Sequence, residues 1–124
     1  MSKLSSVFPQ MPLIIAGGLN VIEPGHQPPH KVFGTWEYAF YVSFQEAGLT
    51  DAFRHLHPDK LAHSWYGRTG AGLRFDHVFV STRHIDQALA SDYHQEAREA
   101  ALTDHAVMSL CLGLPATPDK RVRE

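Results

Sequence analysis

The stretch Pro12 to Asn20, Pro-Leu-Ile-Ile-Ala-Gly-Gly-Leu-Asn, constrains this chain more than any other. Leu13 to Ala16 is a short unbroken apolar run with two β-branched isoleucines. It starts after a proline and stops at a glycine pair, which predicts a strand buried on both faces. Gly17 and Gly18 let the chain turn sharply at the strand's end. Asn20 then falls just beyond that end, where active-site residues of layered α/β proteins often lie. A plain core strand followed by a turn fits the same residues.

At 124 residues the chain suits one small domain with a modest core. The formal net charge of −2 gives no basic excess, so nucleic-acid binding would need a local patch. The single cysteine, Cys111, excludes an intrachain disulfide and, in its apolar stretch, reads as a small core residue. No apolar run reaches membrane-spanning length, and the N-terminus has no apolar segment of the secretory kind. These features favour a cytoplasmic protein.

Residues 1–11 read as a leader, 12–114 as the domain and 115–124 as a polar tail. The prolines and glycine between Asn20 and Val32 make a stiff loop. Trp36 to Gly48 is the best helix, with Thr35 as its cap, Glu37 in the first turn and Gly48 as its stop. Trp36, Ala39, Phe40, Phe44 and Ala47 form its apolar stripe, and the aromatic set Trp36, Tyr38, Phe40, Tyr41 and Phe44 reads as core rather than as a ligand-stacking surface. A helical turn covers Thr50 to Leu56. Ser64-Trp65-Tyr66 reads as a short strand, and Leu73 to Ser81 as the strongest strand of the chain. Thr82 to Ala90 fits a helical turn or the start of a strand, Gln95 to Ala101 a loop or helix, and Ala106 to Leu114 a final strand.

Polar groups sit at or inside these apolar strands. Asn20 follows the first, Asp76 interrupts Leu73 to Ser81, and Thr103-Asp104-His105 precedes the last. An aspartate within an apolar strand should be paired, because an isolated buried carboxylate is costly. His105 is a candidate partner. A carboxylate against an imidazole fixes its tautomer and raises its basicity, as acid–base or phosphate chemistry requires. The plain structural alternative has Asp76 making a buried hydrogen bond and Asp104 capping a turn.

In order, Gly-Gly-Leu-Asn, Ser-Trp-Tyr, Gly-Leu-Arg-Phe-Asp-His-Val-Phe-Val-Ser and Thr-Asp-His-Ala resemble the C-terminal half of the endonuclease/exonuclease/phosphatase family. The closest likeness is to its exonuclease III branch, over Pro12 to Leu112. The resemblance implies an α+β fold: half of a DNase I-like α/β/β/α sandwich, with a mostly antiparallel or mixed sheet and flanking helices. It implies a metal-dependent phosphoesterase ancestry. Carried over, Asn20 contacts the scissile phosphate, Asp76 and His105 form a hydrogen-bonded catalytic pair, and Asp104 lies near the metal. Trp65 and Arg68 match positions that face DNA in the nucleases. Arg74, beside Asp76, is a further candidate for phosphate.

Two departures shape the expected activity. Gly18 stands where the family motif Gly-Asp-x-Asn has its aspartate, which orients or deprotonates the attacking water. Loss of such a base costs about 10²–10⁴-fold in rate. The family's N-terminal half, with its magnesium-binding glutamate, has no counterpart in the resemblance, so Asp104 alone would hold magnesium weakly. A lone half would also expose an apolar sheet face, which a homodimer would cover. The expectation is therefore a truncated family member that binds a phosphate-containing or nucleic-acid ligand, with metal-dependent hydrolysis weak or lost. One alternative is a repurposed homodimeric enzyme using Asp76 and His105 on a small molecule without a full metal site. Another is an interaction module that completes a separate N-terminal half.

The nine histidines include His55 and His57, two apart, and His26 and His30, four apart. No His-Glu-x-x-His or paired-cysteine spacing accompanies them, so a zinc site is not the favoured reading. His77, next to Asp76, should project from the opposite face of its strand. Trp65, beside the glycine-rich loop, is the best aromatic ligand candidate.

Overall fold

A computed structural model describes residues 11–24, 35–66 and 72–113. Arg68, His26 and His30 lie outside the described residues, as do most of the leader and the tail. The elements run β1 (Ile14–Gly18), α1 (Thr35–Glu46), β2 (Leu49–Asp51), α2 (Ala52–Leu56), β3 (Trp65–Tyr66), β4 (Gly72–Leu73) and β5 (Asp76–Ser81). A 3₁₀ helix (Thr82–Gln87), β6 (Ala88–His94), α3 (Glu96–Glu99) and β7 (Val107–Leu112) follow.

The sheet order β1-β5-β2 puts β5 in the middle of the largest sheet, antiparallel to both neighbours. All six β5 residues are buried, as an apolar strand covered on both faces requires. Val78 and Val80 pack on one side with Ala52, Ile85 and Ala88, under Leu56 and the β7 residues Met108, Leu110 and Leu112. Phe79 packs on the other side with Val21, Tyr41 and Leu49, under Phe44 of α1. Asp76 shares the first face and His77 the second, because successive side chains alternate across a strand. A short antiparallel pair, β3-β4, and a longer one, β6-β7, complete the strands among the described residues.

Several expectations need correction. β1 is not buried on both faces: it lies at the edge of its sheet, and alternate residues are exposed. The Leu73 to Ser81 stretch is not one strand; Arg74 and Phe75 separate β4 from β5. Thr35 lies within α1 rather than before it. Of the α1 aromatics read as core, Tyr41 is buried and Phe44 packs on Phe79, whereas Phe40 is 41 % exposed; the Trp36 side chain lies outside the described residues. Cys111 is exposed, on the outward side of β7, and is not a core residue. The expected bare sheet face is covered at β5 by α2, the 3₁₀ helix and β7 of the same chain. Exposed apolar side chains lie further out, at Met11 and Ile14 near β1 and at Leu89 and Val107 on the β6–β7 pair. No helix among the described residues is long and apolar enough to cross a membrane.

Candidate functional site

Asp76 opens β5 directly opposite Gly18 of β1. Its carboxylate Oδ2 accepts a hydrogen bond from His105 Nδ1–H at 2.7 Å. Asp76 is buried, and the His105 side chain is 32 % exposed. Donation from Nδ1 fixes the neutral tautomer, with the lone pair on Nε2. His105 is held on the other side by a bridge to Trp65, whose ring stacks on Phe75 at 5.3 Å. The carbonyl of Phe75 accepts the N–H groups of Leu19 and Asn20 at 3.1 and 3.2 Å. This brings the turn after β1 beside the residue that precedes Asp76. Asn20 sits there at φ 58°, a left-handed conformation that asparagine tolerates.

Thus the fold brings Asn20, Trp65, Asp76 and His105 to one end of the central sheet. Asp104 joins them loosely: its Oδ1 is 3.9 Å from His105 Nε2, and its side chain is 83 % exposed. A side chain added at Gly18 would place its Cβ 2.9 Å from Asp76 Oδ1, so the glycine leaves room for the Asp76 carboxylate. At Gly18 itself the site has neither a base nor a hydrogen-bond acceptor on a side chain.

Arg74 does not face phosphate. It is fully buried, and its guanidinium bonds Asp51 at 2.7 Å and Glu23 at 2.6 Å, with the Phe53 ring 5.3 Å from its centre. Glu23 also binds Arg54 at 2.7 Å, and Tyr41 donates its hydroxyl to Asp51. Burial pushes the Glu23 and Asp51 carboxyls up, but the arginine bonds and charges outweigh it and both end below their ordinary values. The Arg74 cation is stabilised by the same contacts despite its burial. Burial, with the Asp51 charge and hydrogen bond, raises the Tyr41 phenol.

Tyr93 connects this network to the site. Arg74 Nη1 donates to its hydroxyl at 3.2 Å, and the hydroxyl donates to the Asp76 carbonyl at 2.5 Å. Burial pushes the Tyr93 phenol up to about 12, so it stays a donor at neutral pH. Glu23 and Tyr93 escape a sequence reading because one lies in a proline-rich loop and the other in a segment with ambiguous periodicity. Asp51 carried a weak signal as an acid just before a short helix, which it caps by accepting Arg54 N–H at 3.2 Å.

His77 takes no part in the pair. It is fully buried on the α1 side, and its Nε2–H donates to the Val21 carbonyl at 2.7 Å. His57 donates through Nε2–H to the Ser91 carbonyl at 3.1 Å, and His55 is exposed. Among the described residues no three histidine, cysteine or acidic groups converge on one point. Asp76 is committed to His105, which leaves Asp104 as the one carboxylate beside the pair. The described residues therefore do not fit a resident magnesium ion, which needs near-octahedral oxygen ligands.

No protein-family model matches the chain. The chain is 33 % identical to an exodeoxyribonuclease of Bacillus subtilis over 95 residues, covering 65 % of this chain and 38 % of that protein. The 3′ phosphatase NExo from Neisseria, solved with a product DNA hairpin, superposes with a TM-score of 0.75 at 22 % identity, over 88 % of this chain and 48 % of that one. The 3′-5′ exonuclease NExo from Neisseria meningitidis gives 0.72 at 24 % identity with the same coverages, 88 % and 48 %. The AP endonuclease LMAP from Leishmania major gives 0.65 at 23 % identity, over 82 % and 35 %. The chain thus spans half or less of the length of each of these proteins. Its mixed α/β architecture with antiparallel strands is that of half of the DNase I-like fold, and over that part of their length the chain resembles the exonuclease III-like proteins of the endonuclease/exonuclease/phosphatase family.

Proposed function

We propose that this chain binds a phosphate-bearing nucleic-acid strand at the Asp76–His105 pair, with metal-dependent phosphodiester hydrolysis weak or lost. The observation that carries this reading is the 2.7 Å bond from His105 Nδ1–H to Asp76, which holds the imidazole with Nε2 directed away from the carboxylate. A phosphate oxygen at Nε2 is bound when the imidazole is protonated, since both ring nitrogens then donate. The backbone of Asn20 is tied to Phe75 and that of Trp65 to His105, so the same end of the sheet carries an amide donor and an aromatic ring with which a nucleic-acid strand could be bound and stacked. The nuclease and phosphatase relatives, one of them solved with DNA, support a nucleic-acid ligand.

The weakness of hydrolysis follows from two features of the site. Gly18 offers nothing to orient an attacking water, and among the described residues Asp104 stands without a second free carboxylate beside it. Magnesium, if recruited, would rely on the phosphates of the ligand. A homodimer is part of the same proposal, since exposed Met11 and Ile14 border the β1 edge of the sheet.

The test is fluorescence anisotropy with a 3′-phosphorylated DNA hairpin, with and without magnesium. His105→Ala should weaken binding by roughly ten- to a hundredfold, the range for a hydrogen bond to a charged group. Affinity should also fall steeply with salt. Binding by His105→Ala equal to that of the unaltered protein would reject the proposal.

A second reading rests on the same pair. A histidine held by an aspartate moves protons near neutral pH without metal. Turnover of a small molecule that survives chelation and is lost in His105→Ala would favour it.

A further inference from the structure

Ser64 has a place in the site that its short aromatic strand does not advertise. The residue is fully buried, at 0 % exposure. Its hydroxyl oxygen accepts two backbone N–H groups, from Phe75 at 2.8 Å and from Asp76 at 3.1 Å. Two such bonds use both lone pairs of a hydroxyl. Its carbonyl accepts the N–H of Ala106, the neighbour of His105, at 2.7 Å, and its own N–H donates to Leu73 at 2.9 Å.

Three of these four bonds end at or beside a member of the site. Asp76 is held through its own amide. His105 is held through the next residue and through the bridge between Trp65 and His105. Asn20 is held through Phe75, whose carbonyl takes the Asn20 N–H while its own N–H goes to Ser64. The interruption between β4 and β5 turns the Arg74 side chain inward and brings two buried N–H groups to one acceptor. A buried N–H without an acceptor is costly, so the hydroxyl has no equivalent in alanine.

We infer that Ser64 is the positioning residue of the site: its buried hydroxyl and carbonyl together set the distance between Asp76 and His105 and the place of Asn20. The inference deepens the proposed function and rests on Asp76 and His105 being the working pair. Ser64 touches no ligand itself. Its effect reaches the ligand only through the geometry of that pair.

The experiment compares Ser64→Ala with Ser91→Ala. Ser91 is also buried, at 1 %, and its hydroxyl has no hydrogen-bond partner among the described residues. The readout is the downfield proton resonance of His105 Nδ1–H, followed by NMR, with hairpin affinity measured in parallel. Ser64→Ala should lose or broaden that resonance and weaken binding about tenfold or more, whereas Ser91→Ala should retain both. A folded Ser64→Ala protein with an unchanged resonance and affinity would overturn the inference.

Amide hydrogen exchange on the unaltered protein decides the matter if Ser64→Ala does not fold. The Phe75, Asp76 and Ala106 amides should exchange slowly and together. Exchange of any of the three at the rate of an exposed amide would equally overturn the inference. Failure of the function reading is separable: hairpin binding by His105→Ala equal to the unaltered protein rejects that reading, while resonance and exchange still report on Ser64.

Discussion

His77 and Asp76 are neighbours in sequence that meet opposite fates. Asp76 has a histidine partner at the sheet end, while His77 is buried beneath α1 with Arg74 nearby and its Nδ1, without a hydrogen bond, 3.9 Å from Asp51 Oδ2. Burial, reinforced by the Arg74 charge, pushes the His77 imidazole down from 6.5 to about 4. Between those two values the unfolded chain takes up a proton that the folded one refuses. Stability is therefore full above about pH 6.5 and falls as pH drops toward 4, by on the order of 3 kcal/mol over the whole window. Urea unfolding at about pH 7 and pH 5 checks this; His77→Gln, which keeps a donor for the Val21 carbonyl, should flatten the slope across that range. Arg74 shows the converse. Its position beside Asp76 pointed to phosphate, but a fully buried arginine paired with the buried Asp51 and the mostly buried Glu23 is a structural cation. Sequence alone does not distinguish these roles, because the partners Glu23 and Asp51 are 51 and 23 residues away.

Among the elements, α1 was the most legible. Its end at Glu46 is followed by Gly48 at φ +91°, a conformation that glycine adopts freely and alanine does not. Gly48→Ala should cost about 1 kcal/mol from backbone strain alone, since no atom lies within 4 Å of the added Cβ. A lower denaturant midpoint with an unchanged slope is the expected result. The face that α1 buries was less legible. Periodicity marked both Phe40 and Phe44; of these Phe44 meets Phe79, at 4.9 Å, and the other ring there is Tyr41, off that stripe, at 5.4 Å. A helix as aromatic as this one offers more than one apolar stripe, and the sheet beneath selects among them. β1 failed for a related reason: an unbroken apolar run fits an interior strand or an edge strand, and only strand order separates the two.

At the scale of the molecule, β5 is enclosed by its own chain, yet Met11 and Ile14 remain 61 % and 42 % exposed. Ile14 pairs with Val80, whose side of the sheet carries the core under β7. The proposed homodimer would cover this edge. Sedimentation should then report a mass that rises with concentration, and Ile14→Lys should shift the protein toward the monomer by burying an unpaired charge at the contact. A constant monomer mass at high concentration would remove the homodimer from the proposal.

The sequence by itself nominated Asn20, Trp65, Asp76, Asp104 and His105 as candidates and put glycine at residue 18. It also determined that Leu73 to Ser81 contains a central strand, because hydrophobic patterning and glycine placement are local properties of the chain. Tertiary structure decided which polar groups meet. His105 reaches Asp76 across 29 residues, Arg74 turns inward, and one serine hydroxyl gathers two amides. Such pairings depend on the path of the chain through space, and no spacing along it records them.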